Sequence, residues 1–294
     1  MKYNLEVPKA VEGLTALFSE PILSCTELPA DYEDHASDVW HVTTASEDVI
    51  VRASRVTAED RVRNPFYLGM ALLFDVDPRD LQRLRVVNEA LMQISPLRIP
   101  KVLRVVEAGG RQYAVMERLP WERLSSFDAL SETGLRDLGR ALAMHHQLAV
   151  PRLPSVQFTT RLSETLHLFG VEPGATASYL DALHTSSIVA LVPILIDFYA
   201  GQFVWAQGKI TGLVDTEFVV AGPREWELVI LEYLLSAESA RSVRAGYETK
   251  CPFPSLLEAR PLYRRLSQVL EIHGKMAWEV ALGWPCHFDL AVNE

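Results

Sequence analysis

A chain of 294 residues, 49% of them hydrophobic, has the length and apolar content for one large or two modest domains with real cores. Its formal net charge of −10 and its lack of a long basic run remove the attraction that phosphate backbones and anionic lipids require, so neither nucleic acid nor a membrane is an expected partner. Cys25, Cys251 and Cys286 lie far apart, without the short spacings that bind zinc, and read as reduced thiols of a cytoplasmic protein.

The first residues, MKYNLEVPKAVEGLTALF, break their apolar run with Asn, Glu, Pro and Gly, which spoils a secretion signal. DVWHVTT (38–44) and DVIVRAS (48–54) are rich in β-branched residues and sit either side of a short polar ASE, so they predict a hairpin. NPFYLGMALLFDVDP (64–78) is an apolar insertion that reads either as a helix beside a cleft or as a contact surface for a second subunit, that is, a homodimer. PRDLQRLRVVNEALMQIS (78–95) opens with Pro and Asp and repeats apolar residues at helical spacing, and KVLRVVEA and RQYAVMERL then flank the turn signal Gly109-Gly110. After Pro120 the pattern turns helical, over 131–149, 160–170, 177–191, 223–237 and 255–282. The run IVALVPILI is too short to cross a bilayer, and only FVWAQGKITGLVD interrupts the helices with two short strands.

That interruption places Asp197 and Asp215 at the same open end of a hairpin. Phosphoryl transfer needs a carboxylate to orient the attacking hydroxyl and a second acid to hold Mg²⁺ on the phosphates, and Gln202 offers a neutral oxygen to a hard cation. Taken alone, two acids at strand ends read first as turn residues that bond local backbone, and only second as a catalytic pair.

The order of motifs resembles the aminoglycoside phosphotransferase and choline-kinase-like family, relatives of the protein kinases. LIDFYAGQ is similar to that family's catalytic loop, GLVDTE to its metal-binding turn, AGPREWELVILEYLL to the following helix, YAVMERLPW to the hinge between lobes and DVIVRAS to the strand bearing its phosphate-binding Lys. The resemblance implies an α+β, protein-kinase-like two-lobe fold: a small antiparallel β lobe with one long helix over 1–118, and a larger mostly helical lobe over 119–294. It implies Asp197 as catalytic base, Gln202 and Asp215 as Mg²⁺ ligands, Arg52 facing the ATP phosphates, Glu89 as the partner of Arg52, and backbone of Glu117 and Leu119 receiving adenine. Glu89 nonetheless projects away from the apolar stripe of its helix, so a solvated face explains it equally well.

The chain departs from the family pattern at Leu195, Ile196, Tyr199, Gln202 and Trp121, and Arg52 stands where the family has Lys. Two functions follow: an ATP- and Mg²⁺-dependent phosphotransferase acting on a hydroxyl of a small molecule, or a catalytically degenerate, kinase-shaped binding module. Glu217 and Glu225 are candidates for contacting an amine-bearing substrate, Glu227 is expected to bond catalytic-loop backbone, and His146 is expected to be a packed helix-end residue. Trp205, Trp226, Trp278 and Trp284 read as core packing before an aromatic cage.

Overall fold

Alternating Val and Trp residues set the first sheet. In the computed structural model, which describes residues 13–29, 36–120, 124–148, 155–171, 180, 191–206 and 208–289, β1 (Ser24–Glu27), β2 (Ser37–Thr43), β3 (Asp48–Ser54), β4 (Val102–Ala108) and β5 (Arg111–Glu117) form one antiparallel sheet in the order β1-β2-β3-β5-β4. Both residues of the β4–β5 turn, Gly109 and Gly110, have positive φ (58° and 74°), a conformation that glycine adopts without steric cost. Period-two alternation sends Tyr113 and Val115 of β5 to one face, where they pack with Trp40, Val42, Val49 and Val51 against Leu14 and Leu17. Ala114 and Met116 go to the other face, where they meet Leu81 and Leu84.

Those leucines belong to α3 (Leu81–Ile94), which Asp80 caps by accepting from the backbone N–H of Gln82 and Arg83. Two helices precede it that composition did not separate. They are α1 (Ala58–Arg63), closed by a Thr57/Asp60 capping box, and α2 (Pro65–Phe74), capped by Asn64. The apolar insertion is thus a helix, and its Phe66 and Tyr67 rings contact Phe218 in the second lobe, 4.7 and 6.3 Å between centroids.

The second lobe contains α4 (Glu132–His145), α5 (Ser155–Leu168), α6 (Arg224–Glu232), α7 (Ala237–Glu248), α8 (Arg260–Val269) and α9 (Trp278–Gly283). Helices α4 and α7 meet backbone to backbone at two glycines: a Cβ on Gly139 would lie 1.9 Å from the Val243 carbonyl, and one on Gly246 would lie 2.0 Å from that of Arg136. The fully buried Trp226 stacks between Phe74 and Tyr263 and donates its indole N–H to Ser267. Trp205, Trp278 and Trp284 have other neighbours, namely Gly134, Arg265 and Tyr233, so the tryptophans serve separate packing sites rather than one cage.

The expected hairpin is present as β7 (Phe203–Ala206) and β8 (Lys209–Leu213). A further antiparallel pair, β6 (Leu191–Leu195) and β9 (Val219–Pro223), was not anticipated. Every residue of β6 is buried, and a continuous apolar run carries no period to separate a strand from a buried helix. The helix expected over 177–191 lies almost wholly outside the described residues, as does Trp121. The long helix expected over 255–282 is instead broken between α8 and α9, where Glu271 and Gly274 adopt positive φ. Among the described residues no helix is long and apolar enough to cross a membrane.

Candidate active site

The loop after β6 is anchored from beneath by α6. Glu227, 3% exposed, accepts the Leu195 backbone N–H at 2.6 Å through Oε1, while its Oε2 lies 2.6 Å from His146 Nε2. Nε2–H donating to the carboxylate leaves Nδ1 to accept from the Tyr247 hydroxyl at 2.9 Å. This buried chain ties α4, α6 and α7 to the start of the loop, and Glu227 and His146 thus occupy the structural posts expected of them.

Beyond that anchor the chain passes Asp197 and Tyr199, makes a 3-10 turn over Ala200–Gln202 and enters β7. The Val214 N–H bonds back to the Gln202 carbonyl at 2.8 Å, which closes the hairpin at its open end. Asp215 follows in the left-handed region (φ 58°), which a short polar side chain tolerates better than most. Asp197, Tyr199 and Asp215 line one cavity of about 290 Å³, with Arg52 of β3 and Glu217. Its upper walls are Leu28, Val39, Ile50 and the β5 exit from Met116 to Leu119.

Arg52 crosses this cavity from the sheet to the turn. Nη1 donates to Asp215 Oδ1 at 2.5 Å, Nη2 lies 2.6 Å from Glu217 Oε1, and Nε donates to Ser37 Oγ at 3.1 Å. Burial works against the guanidinium charge, but Asp215 and Glu217 outweigh it and hold the Arg52 pKa above its ordinary value. Burial, reinforced by the charge of Asp215 and opposed by Arg52, pushes the Asp197 carboxyl up to about 7. Burial likewise raises Glu217, against the pull of Arg52. One of its oxygens, Oε2, has no hydrogen-bond partner among the described residues although Glu217 is only 4% exposed.

The structure brings Arg52, Asp197, Asp215 and Glu217 together, and places Glu117 and Leu119 on the same cavity. The Glu117 backbone N–H is committed to the Lys101 carbonyl at 2.8 Å, and its side chain pairs with Arg98. Three expectations change. Glu89 does not partner Arg52: it is exposed on α3 and paired with Arg85 at 2.9 Å, as its position off the apolar stripe allows. Glu225 pairs with the adjacent Arg224 at 3.3 Å and is not among the cavity-lining residues. Gln202 has no exposed surface, and its Oε1 accepts the Tyr199 backbone N–H at 3.1 Å, so its oxygen serves the loop.

Two residues that sequence reasoning missed, Arg83 and Asn88, support the turn, and a third, Tyr67, lies near its carboxylates. Arg83 donates from Nη1 to the Glu217 carbonyl at 2.6 Å and from Nη2 to the Val219 carbonyl at 3.0 Å. The buried Asn88 accepts from the Thr216 hydroxyl and donates to the Pro100 carbonyl. Burial, with Glu217 and Asp197 nearby, raises the Tyr67 hydroxyl pKa. Polar Asn88, one turn from Leu84 and Leu91 on the buried face of α3, was the one available signal.

Residues 28–250 match the family model described as the phosphotransferase enzyme family. No curated protein matches. Among solved structures, macrolide 2′-phosphotransferase MphH from Brachybacterium faecium superposes with a TM-score of 0.58 at 13% identity, over 94% of this chain and 98% of that one. Spectinomycin phosphotransferase APH(9)-Ia, in complex with ADP and spectinomycin, gives 0.52 at 11% identity over 93% and 85%. APH(2″)-IIa in its streptomycin–ATP ternary complex gives 0.53 at 16% over 96% and 95%. At these identities the structural likeness is one of fold, the two-lobe kinase-like fold built above. The family match spans most of the chain, and the chain belongs to the phosphotransferase enzyme family.

Proposed function

We propose that this protein transfers the γ-phosphoryl group of ATP to a hydroxyl of a small molecule, with Mg²⁺ as the metal. The observation that carries the reading is the convergence of Asp197, Asp215 and Arg52, from three separate segments, on one cavity below an apolar slot. In this reading the lobes divide at residue 118, and adenine occupies the slot between Val39, Ile50 and Met116, bonding the Glu117 carbonyl and the Leu119 N–H. Arg52 steadies the phosphates: its Nη1 and Nη2 each make one ion-pair contact, which leaves each a second N–H. Asp215 helps hold the metal, which, when bound, neutralises charge developing on the phosphates. Asp197 orients the acceptor hydroxyl and takes its proton, a task suited to a carboxyl whose pKa lies near neutrality. Two of the structurally similar proteins are a macrolide and a spectinomycin phosphotransferase and a third binds streptomycin beside ATP, which favours a bulky polyhydroxylated acceptor here.

Thermal unfolding with ATP and Mg²⁺ tests the nucleotide half of the proposal. Ligand at a hundred times its Kd stabilises the native state by about 2.7 kcal/mol. The melting temperature should therefore rise with nucleotide in the native protein and not in Asp215→Asn, a change that suits the left-handed backbone. No rise at millimolar nucleotide would leave the binding module as the better account.

A further inference from the structure

Deepening that reading and resting on it, we infer that Glu217 is the second protein ligand of the nucleotide-bound divalent cation, in place of the catalytic-loop amide Gln202. Arg52 engages one oxygen of each carboxylate, Asp215 Oδ1 at 2.5 Å and Glu217 Oε1 at 2.6 Å. The opposite oxygens are left over. Among the described residues Glu217 Oε2 is buried with no hydrogen-bond partner, in a residue that is 4% exposed and lines the cavity. Asp215 Oδ2 has, among the described residues, only a long contact, 3.5 Å, from the Tyr199 hydroxyl. A buried carboxylate oxygen without a partner is costly, and a hard divalent cation is the group whose chemistry such an oxygen satisfies best.

The supports around the turn fit the same role. Arg83 holds the Glu217 backbone carbonyl at 2.6 Å and Asn88 holds the Thr216 hydroxyl, so α3 fixes the segment that would present both carboxylates. Gln202 is unsuited to the task. Its oxygen is bound to the Tyr199 N–H, it is not among the cavity-lining residues, and turning that oxygen toward the cavity would break the loop contact. Mg²⁺ in phosphate sites takes one or two protein carboxylates, the rest of its shell being phosphate and water, and Asp215 with Glu217 makes that number.

The test is the affinity of Mn²⁺ for the full-length protein saturated with ADP, read by the loss of the free-ion paramagnetic resonance signal, with ADP affinity measured separately in chelator. Glu217→Gln should weaken Mn²⁺ binding at least tenfold without weakening metal-free ADP binding, a split that general loosening of the fold would not produce. If Glu217→Gln keeps Mn²⁺ affinity within threefold while Asp215→Asn abolishes it, the Glu217 assignment is wrong and the proposed function stands. If Asp215→Asn also keeps it, the proposed function's metal site fails as well. Should Glu217→Gln not fold, a crystal of the native protein with ADP and Mn²⁺ decides by anomalous scattering: an ion coordinated by Glu217 supports the inference, and an ion held by Asp215 and Gln202 overturns it.

Discussion

Asp197→Asn should make the protein more stable while disabling it. Asp197 is a partly buried carboxyl facing the charge of Asp215, and its pKa rises from 3.8 to about 7 on folding. For an acid raised in this way the folded state binds the proton more tightly than the unfolded chain. Stability is therefore greatest when the group is protonated, falls as pH climbs from about 4 to about 7, and is flat above. At about 1.4 kcal/mol for each tenfold change in proton affinity, the ceiling on the penalty above pH 8 is about 4 kcal/mol. At pH 5 the same arithmetic leaves less than half of it. A neutral isostere removes the penalty, and with solvent relaxation we expect a gain of about 1–3 kcal/mol at pH 8 and about 1 kcal/mol or less at pH 5. Urea unfolding of both proteins at the two pH values, followed by tryptophan fluorescence, gives the difference, which includes the relief of Glu217, whose carboxyl feels the charge of Asp197. A variant no more stable than the native protein at pH 8, or a gain that does not change with pH, would refute the reasoning.

Substitutions at two further positions probe the scaffold. Glu227→Ala removes the acceptor for Leu195 N–H and His146 inside a closed core and should cost about 3 kcal/mol in urea unfolding, with Glu227→Gln costing less because its amide oxygen can still accept from Leu195. Gly139→Ala drives a methyl to within 1.9 Å of the Val243 carbonyl, so α4 and α7 must separate; a loss of at least about 2 kcal/mol is expected, and an unchanged unfolding midpoint would mean that the helices do not meet as described.

How far the site could be read ahead of the structure depended on whether its parts were local. Asp197 and Asp215 flank a hairpin whose alternation and turn are written in fewer than twenty residues, so their meeting at one end followed from strand geometry. Glu227 was legible because AGPREWELVILEYLL resembles the family's helix and sets Glu227 in the place of its acid. The partner of Arg52 was not legible in this way. The ion pair joins β3 to a residue 165 positions later, and the family resemblance directed attention to α3, whose own period already turned Glu89 to solvent. The strand β6 was invisible for another reason. LVPIL is buried throughout, and an element buried on every side shows no period to read.

Transfer of labelled γ-phosphate from ATP to a hydroxyl acceptor, screened over polyhydroxylated amines and macrolides with the native protein and Asp197→Asn side by side, tests the central claim most directly. The account predicts labelled acceptor with the native protein, and a loss of at least about a hundredfold in Asp197→Asn with nucleotide affinity retained within a few-fold. Undiminished transfer by Asp197→Asn would contradict it.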